Sequence, residues 1–521
     1  MKKYNFVTGA TILIITLMAG CNEMDNYSVN PNYRLAFSAD TVSFDTVFTT
    51  IGSTTHYFMI YNRNNEDLKI HKISLAGGTD SNFRINVDGR KGDSFDDIPI
   101  WKKDSLYVAV EVTVDPNDEN TPFVIYDSVI FITNGATQSI LLEAYGQNAY
   151  ILRGGTTFET DRTLTAERPY LVYDSVMIPE GVVVNVDKGV SFYMHHKAKW
   201  RIDGTLVTNG TQEEPVVFRG DRLNRFSTYP PISYDNIPAQ WDGLFFGVSS
   251  FDNELNYTLI RNGVSGLMFR ESTPDKRKIT IRNSQIKNMD SNVLEAVNCD
   301  VEALNAEFSN TGGCLVLLAG GKYRFIHCTM ANYMHGNLIS NSSTRFTECL
   351  TLSDHITSGR DKNEYPLQEA FFDNCIIDGD LPADTIHNYD WEIKFLTDSI
   401  YQNGDDLRFN YRFNHCVIKT KKVENPRFHE VLFLKTPRYN DPDAERMRYI
   451  KSDGKYDDVF LDYVYDFRLA NQSVGIGKAD RAVSEKYPVD RYGVNRLASE
   501  TGPSIGAYEY VPQEEKKEDE K

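Results

Sequence analysis

Leu255-Asn256-Tyr257-Thr258-Leu259-Ile260 and Ile281-Arg282-Asn283-Ser284-Gln285-Ile286 open a phrase that keeps returning. It recurs as Leu304-Asn305-Ala306-Glu307-Phe308, Phe325-Ile326-His327-Cys328-Thr329-Met330 and Phe346-Thr347-Glu348-Cys349-Leu350. Two further copies are Phe372-Asp373-Asn374-Cys375-Ile376-Ile377 and Phe413-Asn414-His415-Cys416-Val417-Ile418. The small residue falls at Thr258, Ser284, Ala306, Cys328, Cys349, Cys375 and Cys416, in steps of 26, 22, 22, 21, 26 and 41. Each phrase alternates apolar and polar residues at the period of a strand, and no helical pattern separates the copies. A strand that returns about every 22 residues implies coils stacked in parallel. The fold expected over 149–510 is therefore a right-handed, single-stranded parallel β-helix, a solenoid. The seven small residues then form one inward column with rungs ~4.8 Å apart. An all-β sandwich with chance Phe-x-x-Cys matches is the competing reading.

Working back from the ladder, Met177 to Phe192 reads as strand, Gly turn, strand, and Gly204-Thr205-Leu206 follows. Pro215-Val216-Val217-Phe218 and Trp241-Asp242-Gly243-Leu244 come next. This order resembles the opening coils of bacterial β-helix surface proteins. Glycine supplies positive φ at coil corners, and the branched residues fill the interior. Insertions interrupt the pattern at 219–239 and 379–408; loops of that size are often functional or capping.

Working forward, Phe467-Arg468-Leu469 and Ser473-Val474-Gly475-Ile476-Gly477 precede Asp490-Arg491-Tyr492-Gly493-Val494-Asn495-Arg496. Pro503-Ser504-Ile505-Gly506-Ala507-Tyr508-Glu509 follows. These steps resemble the "choice-of-anchor Q" ending of β-helix surface proteins, with Val474 where that pattern favours Pro. The resemblance implies a C-terminal cap, which an open solenoid needs to cover its strand edges. The charged tail 511–521 is expected to be disordered.

Before the solenoid, 34–148 carries seven or eight short alternating strands, Tyr107-Val108-Ala109-Val110-Glu111-Val112 among them, and no cysteine pair. That count fits an Ig-like β-sandwich. Phe58-Met59-Ile60-Tyr61-Asn62, Val112-Thr113-Val114-Asp115-Pro116 and Leu141-Leu142-Glu143-Ala144-Tyr145-Gly146 resemble the ASPM/SPD-2/Hydin-like modules. The resemblance implies a spacer or docking role. The fold class is thus all-β, a sandwich followed by a solenoid.

The N-terminus carries an address. Lys2 and Lys3 precede an apolar stretch too short to span a membrane, and Leu17-Met18-Ala19-Gly20-Cys21 follows. This resembles a bacterial lipobox, which implies removal of 1–20 and a diacylglycerol on the Cys21 sulfur, with 21–33 as a tether. Asn22-Glu23-Met24-Asp25 resembles a lipoprotein surface-export signal. The expectation is an exported protein, lipid-anchored in the outer membrane and displayed on the cell surface.

The 521 residues include 55 Lys and Arg against 73 Asp and Glu, a net charge of −18. That repels phosphate backbones, so nucleic acid is set aside as a partner. Of seven cysteines, Cys299, Cys314, Cys328, Cys349, Cys375 and Cys416 lie in the repeat region without a Cys-x-x-Cys pair. No zinc site is expected, and stacked parallel side chains favour free thiols over bridges. Asp405-Asp406 and Asp457-Asp458 are acidic pairs that could bind calcium but lack the spacing of a calcium loop; no cofactor is expected.

Chemistry is sparse. His195-His196-Lys197-Ala198-Lys199-Trp200 is the densest basic group, read either as an anionic-sugar site or as a solvated corner. His355, Arg360, Asp361 and Lys362 supply a base, a neutralising cation and a carboxylate for a lyase, or a plain surface loop. Trp200, Trp241, Trp391, Tyr229 and Tyr234 are candidates to stack on sugar rings. Asp-Ser/Thr-apolar triplets begin at Asp40, Asp45, Asp104, Asp127, Asp174, Asp384 and Asp398. They resemble an O-glycosylation signal or simply start strands. The leading function is a non-catalytic binding or adhesion scaffold, for glycans. A polysaccharide lyase or glycoside hydrolase is the second reading, and a structural subunit of an envelope complex the third.

Overall fold

The computed structural model describes residues 26–512, apart from 50, 118, 227–231, 335–346, 359–360, 382–390, 398–407, 434, 436, 442–444, 453–454 and 464. The chain divides into two compact units, Met1–Asn148 and Ala149–Lys521. Cys21, and with it the lipidation expectation, lies outside the described residues.

The first unit is a sandwich of two five-stranded sheets among the described residues. One runs Ala36–Phe37, His56–Tyr61, Ser105–Val112, Phe83–Val87, Arg90–Gly92; the other runs Thr41–Phe48, Ala136–Gln147, Phe123–Thr133, Leu68–Leu75, Ser94–Ile100. Alternation does the sorting: Val108, Val110 and Val112 are fully buried while Tyr107 faces out. Asn62, 1% exposed, ends its strand by donating to the carbonyls of Glu66 (2.8 Å), Ile100 (3.2 Å) and Trp101 (3.1 Å). The asparagine after that strand thus satisfies backbone acceptors that would otherwise be unpaired.

The second unit is a parallel β-helix. Among the described residues its walls are sheets of eleven, ten and nine strands, each built by parallel pairing of successive coils. The repeated phrase is a corner between the ten- and eleven-stranded walls. Its pivot is the residue before the small one: Tyr257, Asn283, Asn305, His327, Asn374 and His415 all have φ between +43° and +56°. Only single residues tolerate that left-handed turn, and Asn does so most readily. The residue that follows, at the inside of the corner, is 0% exposed in every copy, which leaves room only for a small side chain.

Pairing registers run Thr258, Ser284, Ala306, Cys328, Cys375, Cys416 in one column. Cys349 does not belong to it. Its strand Leu350–Ser353 pairs with Val316–Ala319 and Ile393–Leu396, in the nine-stranded wall. Between Cys328 and Cys375 the chain runs 47 residues, including the hairpin of His355–Ser358 with Asp361–Glu364, and a near copy of the phrase falls on a different wall. The described cysteines are all free thiols. Three of them donate to a carbonyl one coil back: Cys328 to Ala303 (3.5 Å), Cys375 to Phe325 (3.3 Å) and Cys416 to Phe372 (3.4 Å). A parallel stack of Phe325, Phe372, Phe413 and Phe428, with centroids 4.8–5.2 Å apart, runs beside the thiols.

Residues 465–510 lie over the outer face of the eleven-stranded wall. Ile505, Ala507 and Tyr508 pack there on Ala331, Ile376 and Val417. Gly506 has φ +103°, and a Cβ there would come within 2.7 Å of Ile376 and 2.9 Å of the Thr329 hydroxyl. The Ile-Gly-Ala-Tyr-Glu step is thus shaped by contact with the coil beneath. At this seam Asp378 accepts the hydroxyls of Tyr333 (2.5 Å) and Tyr439 (3.1 Å). Burial, above all, pushes its carboxyl up to about 6; Glu392 adds to the rise, while the two tyrosines and Lys419 oppose it. A pKa raised on folding stabilises the native state below the unfolded pKa, and that contribution is lost as pH rises through 6. The shift is roughly two pH units, or about 3 kcal/mol. Asp378→Asn is therefore expected to gain melting temperature relative to wild type as pH goes from 4.5 to 8. Parallel pH profiles for the two proteins would refute it.

Candidate functional site

The nine-stranded wall carries the strands Ser175–Ile178, Lys199–Ile202, Gly243–Phe246 and Leu267–Phe269 side by side. Alternation sends Val176, Trp200, Leu244 and Leu267 inward. It sends Met177, Arg201, Phe245 and Met268 outward in one register row. The first three of that row, with the segments that follow the strand ends, form a groove of about 1460 Å³. Lys199 and Glu180 line it, with Val248 and Phe251 from one segment and Arg270, Glu271 and Thr273 from another.

Charges in the groove are matched. Lys199, Arg201 and Arg270 face Glu180, Asp203 and Glu271, three cations against three carboxylates. Arg201 holds Asp203 at 2.8 Å through Nε, and Lys199 reaches Asp242 at 3.4 Å. A Cβ at Gly247 would sit 1.8 Å from an Asp203 oxygen, so glycine there is what admits the carboxylate. Behind the wall, Lys278 is wholly buried. Its ammonium donates to the carbonyls of Gly247 and Val248, and it lies 4.9 Å from the Phe251 ring centre. Burial pushes its pKa down to about 8. This lysine fixes the segment that presents Val248 and Phe251 to the groove.

The expected binding residues separate here. Lys199 lines the groove. Trp200, its neighbour, is 0% exposed and packs edge-on against Phe192 and Phe218, so it is a core residue and not a sugar platform. Trp241 is likewise interior, donating to the Arg261 carbonyl at 2.9 Å. His196 and Lys197 occupy an exposed turn with Lys197 at φ +63°. His195 is bonded to Asp221 at 2.6 Å and lies against Tyr173. The basic run is thus mostly a coil corner. Trp391 is partly exposed just before the last strand of the same wall, outside the groove lining. Tyr229 lies outside the described residues, and Tyr234 carries the Arg222 guanidinium 4.3 Å above its ring.

Of the proposed lyase set, Arg360 lies outside the described residues. His355, Asp361 and Lys362 sit on an antiparallel hairpin, His355–Ser358 with Asp361–Glu364. In its register His355 faces Glu364, while Asp361 faces Ser358 at the other end, so the hairpin does not bring base and carboxylate opposite each other. His355 instead bonds Asp354 (2.6 Å), which accepts the Thr397 hydroxyl (2.5 Å). Tyr365, just past the hairpin, donates its amide to the Asp354 carbonyl and its hydroxyl to Glu271 at the groove edge, both at 2.7 Å. Among the described residues no three His, Cys, Asp or Glu side chains gather as metal ligands. Asp405 and Asp406 lie outside them. Of the Asp-Ser/Thr-apolar triplets, Thr41, Ser105 and Ser175 begin strands, while Thr46 and Ser128 lie within them. The triplets at Asp384 and Asp398 lie outside the described residues.

Sequence reasoning missed the groove because Met177, Phe245 and Arg270 belong to three different coils. Its only local signal was Arg201-Ile202-Asp203, a cation and a carboxylate two residues apart.

No family model and no curated protein matches the chain. Solved structures with partial similarity include a family 123 glycoside hydrolase from Clostridium perfringens, at 7% identity over 23% of this chain and TM-score 0.17. The match spans 30% of that hydrolase. An ASH / PapD-like domain of human CEP192 aligns at 11% identity over 25% of this chain and 94% of its own, TM-score 0.16. The catalytic domain of a GH87 α-1,3-glucanase, in complex with tetrasaccharides, aligns at 10% identity over 70% of this chain and 82% of its own, TM-score 0.14. Similarities at these values carry no argument about function.

Proposed function

We propose that the chain is a non-catalytic glycan-binding scaffold, exported and held at the outer membrane by a lipid on Cys21. The observation that carries the binding role is the groove on the nine-stranded wall. Phe245 offers a ring face, and charged pairs such as Arg201 with Asp203 offer fixed donors and acceptors for sugar hydroxyls. Three cations balance three carboxylates, which suits a neutral glycan better than a polyuronate. No histidine or cysteine lines it among the described residues. A glycan array followed by calorimetry is expected to find a neutral oligosaccharide ligand. Phe245→Ala and Arg201→Ala should each weaken it about tenfold, ~1.4 kcal/mol, without altering the fold. Binding that survives both substitutions would sink the assignment.

The second reading, a polysaccharide-cleaving enzyme, rests on the Thr397-Asp354-His355 chain of hydrogen bonds near the groove. An orienting carboxylate behind an imidazole is a general-base arrangement. Release of reducing ends or unsaturated uronates, lost in His355→Ala, would replace the scaffold reading with this one.

The anchor is supported by the Leu17-to-Cys21 motif, and no helix among the described residues is long and apolar enough to cross a membrane. Cells fed a labelled fatty acid should incorporate it into the wild-type protein and not into Cys21→Ala. Equal labelling of the two would overturn the anchor.

A further inference from the structure

The outer face of the first unit holds a second concavity, of about 550 Å³ and unrelated to the groove. It arises from one register row across four strands: Tyr57, Ala109, Asn86, Lys91. Ala109 is the low point, because a methyl group stands where its neighbours carry long side chains. Tyr57 rises on one side, 65% exposed, and Tyr107 lies two residues along from Ala109, 39% exposed. Their ring centres are 6.4 Å apart and tilted by 57°, a twisted platform rather than a flat one. Across the dip, the Asn86 side-chain oxygen is shielded from solvent and accepts no hydrogen bond. Arg84 and Lys91 are matched by Asp93 and Glu111 in the lining, two charges of each sign. Glu111 already accepts the Thr55 hydroxyl at 2.8 Å.

Single aromatic side chains on a surface need no explanation, but two tyrosines around a depression that contains an unused buried acceptor do. An apolar ring face against tyrosine, with hydroxyls directed to an amide and to matched charges, is the chemistry of a sugar ring. The charge balance selects against an anionic ligand, and the twist of the two rings suits a bent disaccharide over a flat polymer face. We propose that this depression is a saccharide site for a neutral pyranose disaccharide or chain end. The Ig-like unit is then a binding module in its own right rather than a spacer.

The test uses the full chain and saturation-transfer NMR with cellobiose, laminaribiose, lactose and maltose at millimolar concentration. Wild type should transfer saturation to the ring C–H protons of at least one of them. Ala109→Leu fills the depression without removing any polar group, and it should weaken that signal at least tenfold. Tyr57→Ala should do the same. These comparisons are made in a full chain that also carries Phe245→Ala and Arg201→Ala, which disable the groove of the other unit, so the two sites fail separately. The proposal is overturned if, in that background, no disaccharide gives a signal that Ala109→Leu removes. A strand-like peptide that binds wild type and is blocked by Ala109→Leu, with no sugar signal, would reassign the depression to protein docking and equally overturn it.

Discussion

Arg496→Met is expected to lower the stability of the solenoid unit by about 3–5 kcal/mol. Arg496 is fully buried, and desolvation lowers its pKa to about 10. Its guanidinium reaches Asn305 Oδ1 (3.0 Å), the carbonyls of Ala507 (3.2 Å) and Ser504 (3.4 Å), and the Glu509 carboxylate (3.6 Å). Glu509 also accepts the amide and hydroxyl of Ser504. Asp490 accepts the amides of Tyr492, Val494 and Glu509, each at 2.8 Å. The separated Asp, Arg and Glu steps of the C-terminal motif are therefore one buried polar knot, tied through Asn305 to a corner of the solenoid. Methionine would keep the volume but leave Glu509 buried without its cation, and that uncompensated charge is the source of the cost. Arg496→Lys keeps the charge but loses the fork that serves several acceptors, so it should fall between the two. Denaturant unfolding measures the loss, and hydrogen exchange should place it first in 465–512. A midpoint shift worth less than about 1 kcal/mol would show that the knot does not hold the cap.

The second large effect is Trp200→Ala, expected to cost about 3–5 kcal/mol. The indole is 0% exposed, with Phe192 at 5.0 Å, Phe218 at 5.7 Å and Phe158 at 6.0 Å between ring centres. Removing it opens a cavity that three stiff rings cannot close. Its neighbours Lys199 and Arg201 point the other way, into the groove. Glycan affinity measured far below the melting point should therefore stay within about threefold of wild type, since no contact with the ligand is lost. Selective loss of binding with unchanged melting would restore the tryptophan as a sugar contact.

Trp200 also shows where sequence reading stops. The alternation Lys199-Trp200-Arg201-Ile202 is a strand on inspection, but period two leaves open which set faces in. A solenoid wall resolves it, because the row Val176, Trp200, Leu244 is continuous with the interior of the coils on either side. Cys349 shows the complementary limit. Its phrase repeats the Phe-x-x-Cys of Phe325–Cys328 and Phe372–Cys375 with Glu348 at the turning position, yet pairing places it opposite Val316–Ala319 in another wall. Local pattern reports a corner; it does not count how much chain an insertion has used.

What the sequence determined by itself was whatever depends on neighbours along the chain. That includes the strand period, the coil length near 22 residues and the small residue that recurs in each copy. Each is dictated by backbone sterics and by the room inside one coil. What only the tertiary structure decided was the outward-facing chemistry. Met177, Arg201 and Phe245 meet because successive coils stack in register ~4.8 Å apart, and nothing in the repeat constrains which residues point outward. The same holds for Tyr57, Ala109 and Asn86, which three strands bring into one row. The interior of a stacked fold repeats because every coil must fit the next, whereas its outer surface is free to differ from coil to coil, and binding sites form there.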